Sequence, residues 1–308
     1  NRFTEIKRFN ENDYEIRIYK TETVLPAHRI AARFGNYGEF VELVGYDDAA
    51  PKWSPGEPLK VKLYWRTLAE QSEPLELTLR LLDRNDREIG SARGDLFQGQ
   101  GWPEGIFATE WTIQPQGDAA PGMYRLAVNV VQTRFNYTTP AKNWAGDDIG
   151  RVTLGPFKLA ALPPSATELQ AARTANVLFG DQIALAGYKI GDARSGGTLS
   201  LSLYWKALAQ PAHDYTVFVH LLDAEGKVRA QVDAQPRGGA YPTSVWDAGE
   251  TIRDEYTLSL PTDLPPGTYR VEVGWYAQPS LARLNVADAR GNALGDHWLP
   301  PDSIQIAR

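Results

Sequence analysis

Apolar and polar residues alternate along much of this chain with a period of two, the repeat of a β-strand with one face in a core and one toward water. In Leu59-Lys60-Val61-Lys62-Leu63-Tyr64-Trp65 the residues Leu59, Val61, Leu63 and Trp65 fall on one face, and Lys60, Lys62 and Tyr64 on the other. Leu199, Leu201, Leu203 and Trp205 repeat this against Ser200, Ser202 and Tyr204. Further strands are predicted at Phe40–Tyr46, Leu75–Leu82, Ala108–Ile113, Tyr124–Val131 and Arg151–Leu159. A second series runs through Ile183–Ile190, Thr216–Leu222, Lys227–Asp233, Asp254–Leu260, Tyr269–Tyr276 and Ser303–Ala307. Turn signals such as Ala224-Glu225-Gly226, Pro121-Gly122 and Pro266-Gly267 separate them.

The two series are copies of one pattern. Leu63-Tyr64-Trp65-Arg66 matches Leu203-Tyr204-Trp205-Lys206, and Leu81-Leu82-Asp83 matches Leu221-Leu222-Asp223 with the same Trp-to-Asp separation. Pro121-Gly122-Met123-Tyr124-Arg125 matches Pro266-Gly267-Thr268-Tyr269-Arg270, and Phe34-Gly35 and Gly45-Tyr46 match Phe179-Gly180 and Gly187-Tyr188. About seven short strands per copy, with little helical periodicity, predict two tandem antiparallel β-sandwich domains of immunoglobulin or fibronectin type, with a jelly roll as the alternative. Tyr124 and Tyr269, just after Pro-Gly, are candidate tyrosine-corner residues. The predicted boundaries are residues 1–24 for a leading segment, 25–161 for the first sandwich, 162–176 for a linker with weakly helical character, and 177–308 for the second sandwich. Within the leading segment Tyr14–Tyr19 alternates as a lone strand that needs a partner from elsewhere.

Composition narrows the chemistry. The 308 residues contain no cysteine, which removes disulfide frameworks and thiolate metal sites. Up to position 160 there are 20 basic residues against 22 acidic, and beyond it 12 against 16, so neither half has the basic footprint of a nucleic-acid binder. No stretch is long and apolar enough to span a bilayer. There is no Gly-x-Ser-x-Gly and no His-Glu-x-x-His, and the chain has only four histidines, His28, His213, His220 and His297. No catalytic residue, metal site or cofactor is predicted. His220 reads as an outward-facing strand residue. Asp83 and Asp223 open turns, where an Asp carboxylate bonds local amides, and Asp147-Asp148 lacks the spaced oxygen ligands of a calcium loop.

The remaining signal is aromatic. Of nine Trp, four lie in turn-rich stretches: Trp102, Trp144, Trp246 and Trp298. A flat ring beside polar side chains can stack on the C–H face of a sugar, so these residues, with Tyr241, Asp247 and Arg237, are the candidate ligand contacts. Equally, a loop Trp can fold back to cap the sandwich core. Trp65 and Trp205, on the apolar strand face, are predicted core residues.

Leu203-Tyr204-Trp205-Lys206, His220-Leu221-Leu222-Asp223, Gln235-Pro236, Pro242-Thr243-Ser244-Val245-Trp246, Gly249-Glu250 and Leu264-Pro265-Pro266-Gly267-Thr268-Tyr269 resemble the repeated β-sandwich tails of bacterial multi-pass membrane glycosyltransferases of the protein mannosyltransferase type. The likeness is fuller over residues 179–306 than over 34–159, where Gly101-Trp102-Pro103-Glu104-Gly105 stands in place of the Pro-Thr-Ser-x-Trp motif. The resemblance implies a noncatalytic, extracytoplasmic module, tethered through a transmembrane part of the same polypeptide, whose partner is a glycan or glycosylation acceptor or which orients the enzyme. A free-standing carbohydrate-binding or adhesion protein and a pure spacer are the alternatives.

Overall fold

The computed structural model describes residues 3–11, 14–21, 26–35, 39–48, 53–69, 74–99, 105–117 and 119–306. It is almost entirely β, in antiparallel sheets that do not close into barrels. Contacts divide the chain into two compact units, residues 1–119 with 124–157, and residues 120–123 with 158–308. A leading hairpin of β1 (Phe3–Glu11) and β2 (Tyr14–Thr21) pairs antiparallel. The Tyr14–Tyr19 strand therefore has a partner next to it in sequence, Phe3–Glu11, whose irregular alternation hides it from a periodicity reading.

The first sandwich comprises β3 (His28–Gly35), β4 (Glu39–Asp48), β5 (Leu59–Thr67), β6 (Leu75–Leu82), β7 (Glu88–Asp95), β8 (Ile106–Ile113), β9 (Gly122–Gln132), β10 (Tyr137–Thr138), β11 (Ala141–Lys142) and β12 (Val152–Leu159). One sheet has the order β11-β3-β4-β5-β8; in the other β9 pairs with β6, β10 and β12, and β7 flanks β6.

In the second copy the strands are β13 (Arg173–Phe179), β14 (Ile183–Ile190), β15 (Thr198–Ala207), β16 (Tyr215–Leu222), β17 (Val228–Ala234), β18 (Thr251–Ser259), β19 (Gly267–Ala277), β20 (Val286–Asp288), β21 (Ala293–Gly295) and β22 (Ser303–Ile306). The sheets run β18-β15-β14-β13-β20-β21 and β17-β16-β19-β22. Strand for strand, β4 to β9 and β12 correspond to β14 to β19 and β22, with the same neighbours. Lettered A to G, the strands of one sheet run A-B-E and those of the opposite sheet C′-C-F-G. This is immunoglobulin-class pairing, in which consecutive strands share a sheet; a jelly roll, whose successive strands mostly alternate between sheets, does not have it. One extra strand precedes A in each copy (β3, β13), and the F–G connection returns a short strand to it (β11, β20).

The cores follow the alternation. Leu63, Trp65, Leu203 and Trp205 are buried to 1% exposure or less. The second core holds an aromatic column, Phe179 edge-on to Trp205, Trp205 to Trp275 and Trp275 to Trp246, with centroids 5.5, 4.7 and 6.0 Å apart. Tyr269 donates its hydroxyl to the Pro265 carbonyl at 2.8 Å, a tyrosine corner opening strand F. Tyr124 holds the equivalent place, edge-on to Trp53 at 5.4 Å. Asp83 accepts from the amides of Asn85 and Arg87, and Asp223 from those of Glu225 and Lys227, as turn-opening Asp residues do.

Three expectations are corrected. Tyr64 and Tyr204, assigned to the water face, are buried, because Asp47 takes the Tyr64 hydroxyl at 2.7 Å and the Lys62 and Lys189 side chains lie across the two rings. Residues 162–176 are not linker throughout: the weakly helical stretch is a five-residue helix, α1 (Ala166–Gln170), capped by Ser165 through a reciprocal capping box with Glu168, and β13 already begins at Arg173. Strands β3, β7 and β13 escaped the pattern reading, since Arg, Glu and Ala interrupt their alternation on half-exposed sheet positions.

Candidate functional site

The loop that carries most of the predicted contacts, residues 235–250, is a structural plug in the second unit. Trp246 and Tyr241 have no exposed surface. The Trp246 indole donates to the Tyr241 carbonyl at 3.1 Å, and Thr243 accepts from the Tyr215 amide at 2.9 Å while donating to the His213 carbonyl at 2.6 Å. Pro242-Thr243-Ser244-Val245-Trp246 thus folds a single 3-10 turn that drives its indole onto Trp275. Capping is what this motif does, and its rings present no face to a ligand.

Polar groups around the plug are already satisfied. Lys158 donates to the Val245 carbonyl at 2.5 Å, to Asp247 at 2.8 Å and to Glu250 at 2.9 Å, and its ammonium sits 5.3 Å from the Tyr241 ring centre. Glu250 also accepts from the Tyr241 hydroxyl and from the Asp247 amide. Burial, then the adjacent Glu250 carboxylate, pushes the Tyr241 hydroxyl far above the ordinary phenol range. Arg237 is exposed, but its backbone, in the left-handed region at φ 54°, points its amide at Asp254 at 2.8 Å.

Asp254 is the residue that sequence reasoning missed. It lies opposite Leu203 in register, where the first copy has Thr109 opposite Leu63. Thr109 takes hydrogen bonds from the indoles of Trp65 and Trp111 at 3.1 and 2.8 Å. Asp254 takes the Tyr256 hydroxyl at 2.5 Å in the same way, and adds the Arg237 amide. Burial raises its carboxyl pKa, opposed by the Tyr256 hydroxyl, the Arg237 amide and the nearby Trp205 indole, which completes no normal hydrogen bond of its own. The signal was available in the duplicated register, one strand away from the Leu-Tyr-Trp motif.

Trp298 is also a packing residue. It is edge-on to Tyr188 at 5.1 Å and exchanges both backbone bonds with Val273. Beside it, Glu272 receives His220 Nδ1 at 3.0 Å, Arg283 at 3.5 Å and His297 at 3.5 Å, and Arg283 covers the Phe218 ring at 4.3 Å. Phe218 in turn lies where Gly274 leaves room; a Cβ there would stand 2.2 Å from the ring. His220 is therefore half-buried rather than open to water, and this cluster straps the F–G connection of the second sandwich onto its sheet. Among the described residues no group of three or more His, Asp or Glu has metal-holding geometry.

Trp144 differs from the rest. It is 77% exposed, and Phe135 and Tyr137 are 64% and 41% exposed; these are the exposed large aromatic residues among the described residues. All three fall in the F–G connection of the first sandwich. The turn that presents Trp144 is tightly bonded: Asn143 Oδ1 accepts from the Ala145 and Asp147 amides at 2.9 and 3.0 Å, Asn143 Nδ2 donates to Asp147 at 3.0 Å, and the Gly146 amide closes onto the Asn143 carbonyl at 3.0 Å. Asp147 serves that turn and Asp148 accepts from the Gly150 amide. Phe135 and Tyr137 flank Asn136, whose left-handed backbone (φ 46°) turns the chain from β9 into β10. Trp102 lies outside the described residues.

No family model and no curated protein matches this chain. Among solved structures it is similar to β-glucuronidase 2 of Bacteroides uniformis at 13% identity and TM-score 0.25, covering 73% of this chain and 25% of that one. A membrane-anchored protein of Corynebacterium diphtheriae aligns at 12% identity and TM-score 0.23 over 85% and 58% of the two chains, and pT26-6p at 10% and 0.22 over 92% and 66%. The chain thus spans between a quarter and two thirds of these structures' lengths, and at such scores the likeness carries no functional inference.

Proposed function

We propose that this chain is a noncatalytic, extracytoplasmic accessory module of a membrane glycosyltransferase, and that it binds glycan through the F–G connection of its first sandwich. One observation carries the reading: Phe135, Tyr137 and Trp144 expose their rings within ten residues, while the second F–G connection has one Trp, the buried Trp298, and no Phe or Tyr. Exposed rings on a fixed turn cost hydration without adding to the core, and offer flat apolar surface to pyranose C–H groups. The tail resemblance in residues 179–306 supports the parent enzyme class and the location. No helix among the described residues is long and apolar enough to cross a membrane, so the tether lies elsewhere in the parent polypeptide on this reading.

A glycan array probed with the purified chain and with Trp144→Ala tests this. The expected result is retention on a subset of glycans and loss of at least about tenfold in affinity for the variant, the equivalent of one stacking contact of about 1.4 kcal/mol. Equal binding by the two proteins, or none by either, would remove the assignment.

A further inference from the structure

The turn between β9 and β10 carries a sequence pattern that ring stacking does not use. Asn136-Tyr137-Thr138 has the form Asn-x-Thr, with no proline between, that marks an acceptor for N-linked glycan on a surface loop. It is the one place among the eleven asparagines of the chain where Ser or Thr stands two positions on. With that many asparagines a single match is expected by chance, so the weight falls on where this one lies. All three residues are exposed, in the F–G connection of the first sandwich.

The local structure leaves the reacting groups free. Asn136 follows a three-residue 3-10 turn (Thr133–Phe135), and its backbone amide closes that turn on the Thr133 carbonyl at 3.2 Å. An Asn in a turn commonly bonds its carboxamide to nearby backbone, as Asn143 does with the Ala145 and Asp147 amides. The Asn136 carboxamide and the Thr138 hydroxyl make no hydrogen bond among the described residues. Thr139, one position on, shows the contrast: it is buried and donates its hydroxyl to the Val130 carbonyl at 2.8 Å. Strand β10 is only two residues long and pairs with Gln132 and Val131 alone, so a small local opening releases the whole tripeptide to an enzyme. Phe135 and Tyr137, exposed on either side of Asn136 in sequence, offer apolar surface to the C–H groups of a first sugar. A glycan there would also cover the end of β10, the edge strand of its sheet, where an open edge invites pairing with another chain.

We infer that Asn136 is a site of N-linked glycosylation, with a lipid-diphosphate-linked oligosaccharide as the donor. In the transfer a bond forms between Asn136 Nδ2 and the anomeric carbon of the sugar as the bond from that carbon to the diphosphate oxygen breaks. The lipid diphosphate leaves with the electron pair, and one amide proton passes to the transferase. The inference goes beyond glycan binding and rests only on the extracytoplasmic part of the reading above.

Mass spectrometry of the full chain purified from the cells that make it, with fractionation of those cells in parallel, tests it. The expected result is a glycan on the peptide containing Asn136 in most molecules, released by a peptide N-glycosidase that leaves an aspartate in its place. Thr138→Ala should abolish the addition with the melting temperature unchanged, because Asn136 and its left-handed turn remain. Thr138→Ser, which keeps a hydroxyl at that position, should keep the addition. An extracytoplasmic chain with nothing on Asn136, or with sugar on the Thr133 or Thr138 hydroxyl instead, would overturn the acceptor and leave glycan binding to the array. Addition to Asn136 that survives Thr138→Ala would equally overturn it, since the tripeptide would not be what is recognised. An unmodified chain found in the cytoplasm would overturn the acceptor and the location together.

Discussion

Replacing Trp246 by alanine separates a core plug from a ligand platform. The ring is fully buried, packs edge-on against Trp275 at 6.0 Å and satisfies the Tyr241 carbonyl at 3.1 Å. Truncating a buried Trp costs about 3–5 kcal/mol, and the edge-on pair is worth about 0.5–1.5 kcal/mol within that figure. Leaving the Tyr241 carbonyl without its donor adds about 1 kcal/mol or more unless water enters the cavity. These contributions overlap, so a loss of about 4 kcal/mol is expected, equivalent to about 8–16 °C in the melting temperature of a unit this size. Two-unit chains need not unfold in one step. Calorimetry should therefore be paired with hydrogen exchange read on peptides from β15 and β19, which report the second unit by itself. Trp144→Ala, at an exposed position, should move stability by no more than about 0.5 kcal/mol. A change below about 1 kcal/mol for Trp246→Ala would refute the plug and return the loop to the list of candidate binding surfaces.

Glu250→Ala should cost about 2–3 kcal/mol, because Lys158 and Glu250 side chains are only 12% and 13% exposed and Lys158 keeps Asp247 as its one carboxylate partner beside the Val245 carbonyl; urea unfolding measures it, and a loss under about 0.5 kcal/mol would mean the network is ornamental to the fold. Glu272→Ala should raise amide exchange about tenfold across residues 283–297, where the strap loses its anchor, with little change in β14; unaltered exchange there would contradict the strap. Carbon-13 titration should find the Asp254 carboxyl above the ordinary aspartate range, raised by burial, and that of Asp288 below it, held down by the Asn292 side chain and amide. The signs follow by linkage: the native state binds the Asp254 proton more tightly than the unfolded chain, so that contribution to stability falls as pH rises through the interval between the two pKa values. The Asp288 contribution is complete above its unfolded pKa and disappears as pH drops through the lower native one. Midpoints in the reverse order would invalidate both environments.

Much of the architecture was legible because burial on one sheet face imposes a period of two, and duplication supplied the pattern twice. Leu63-Tyr64-Trp65 and Leu203-Tyr204-Trp205 mark strand B in both copies, and Pro-Gly-x-Tyr marks the entry to strand F. Strands β3 and β13 were hidden because Arg29 and Arg173 lie on sheet positions open to water, where alternation has no core to enforce it. The site was less legible. Trp144, Trp246 and Trp298 look alike in sequence, each beside Asn, Asp or His in a turn-rich stretch, and only the backbone decides which ring points inward. Trp246 is drawn in by the 3-10 turn at Thr243–Val245 and Trp298 by its bridge to Val273, whereas the Asn143 turn leaves Trp144 outside. Clusters such as Glu272 with His220, Arg283 and His297 join residues up to 77 positions apart in numbering, and no local spacing announces them.

The most direct measurement is a proton–nitrogen NMR spectrum of the tryptophan indole groups, recorded with and without a saturating oligosaccharide chosen from the array. The account predicts that the Trp144 resonance shifts while those of Trp65, Trp205, Trp246, Trp275 and Trp298 stay in place. Shifts centred on Trp246 or Trp298, with Trp144 unmoved, would contradict it.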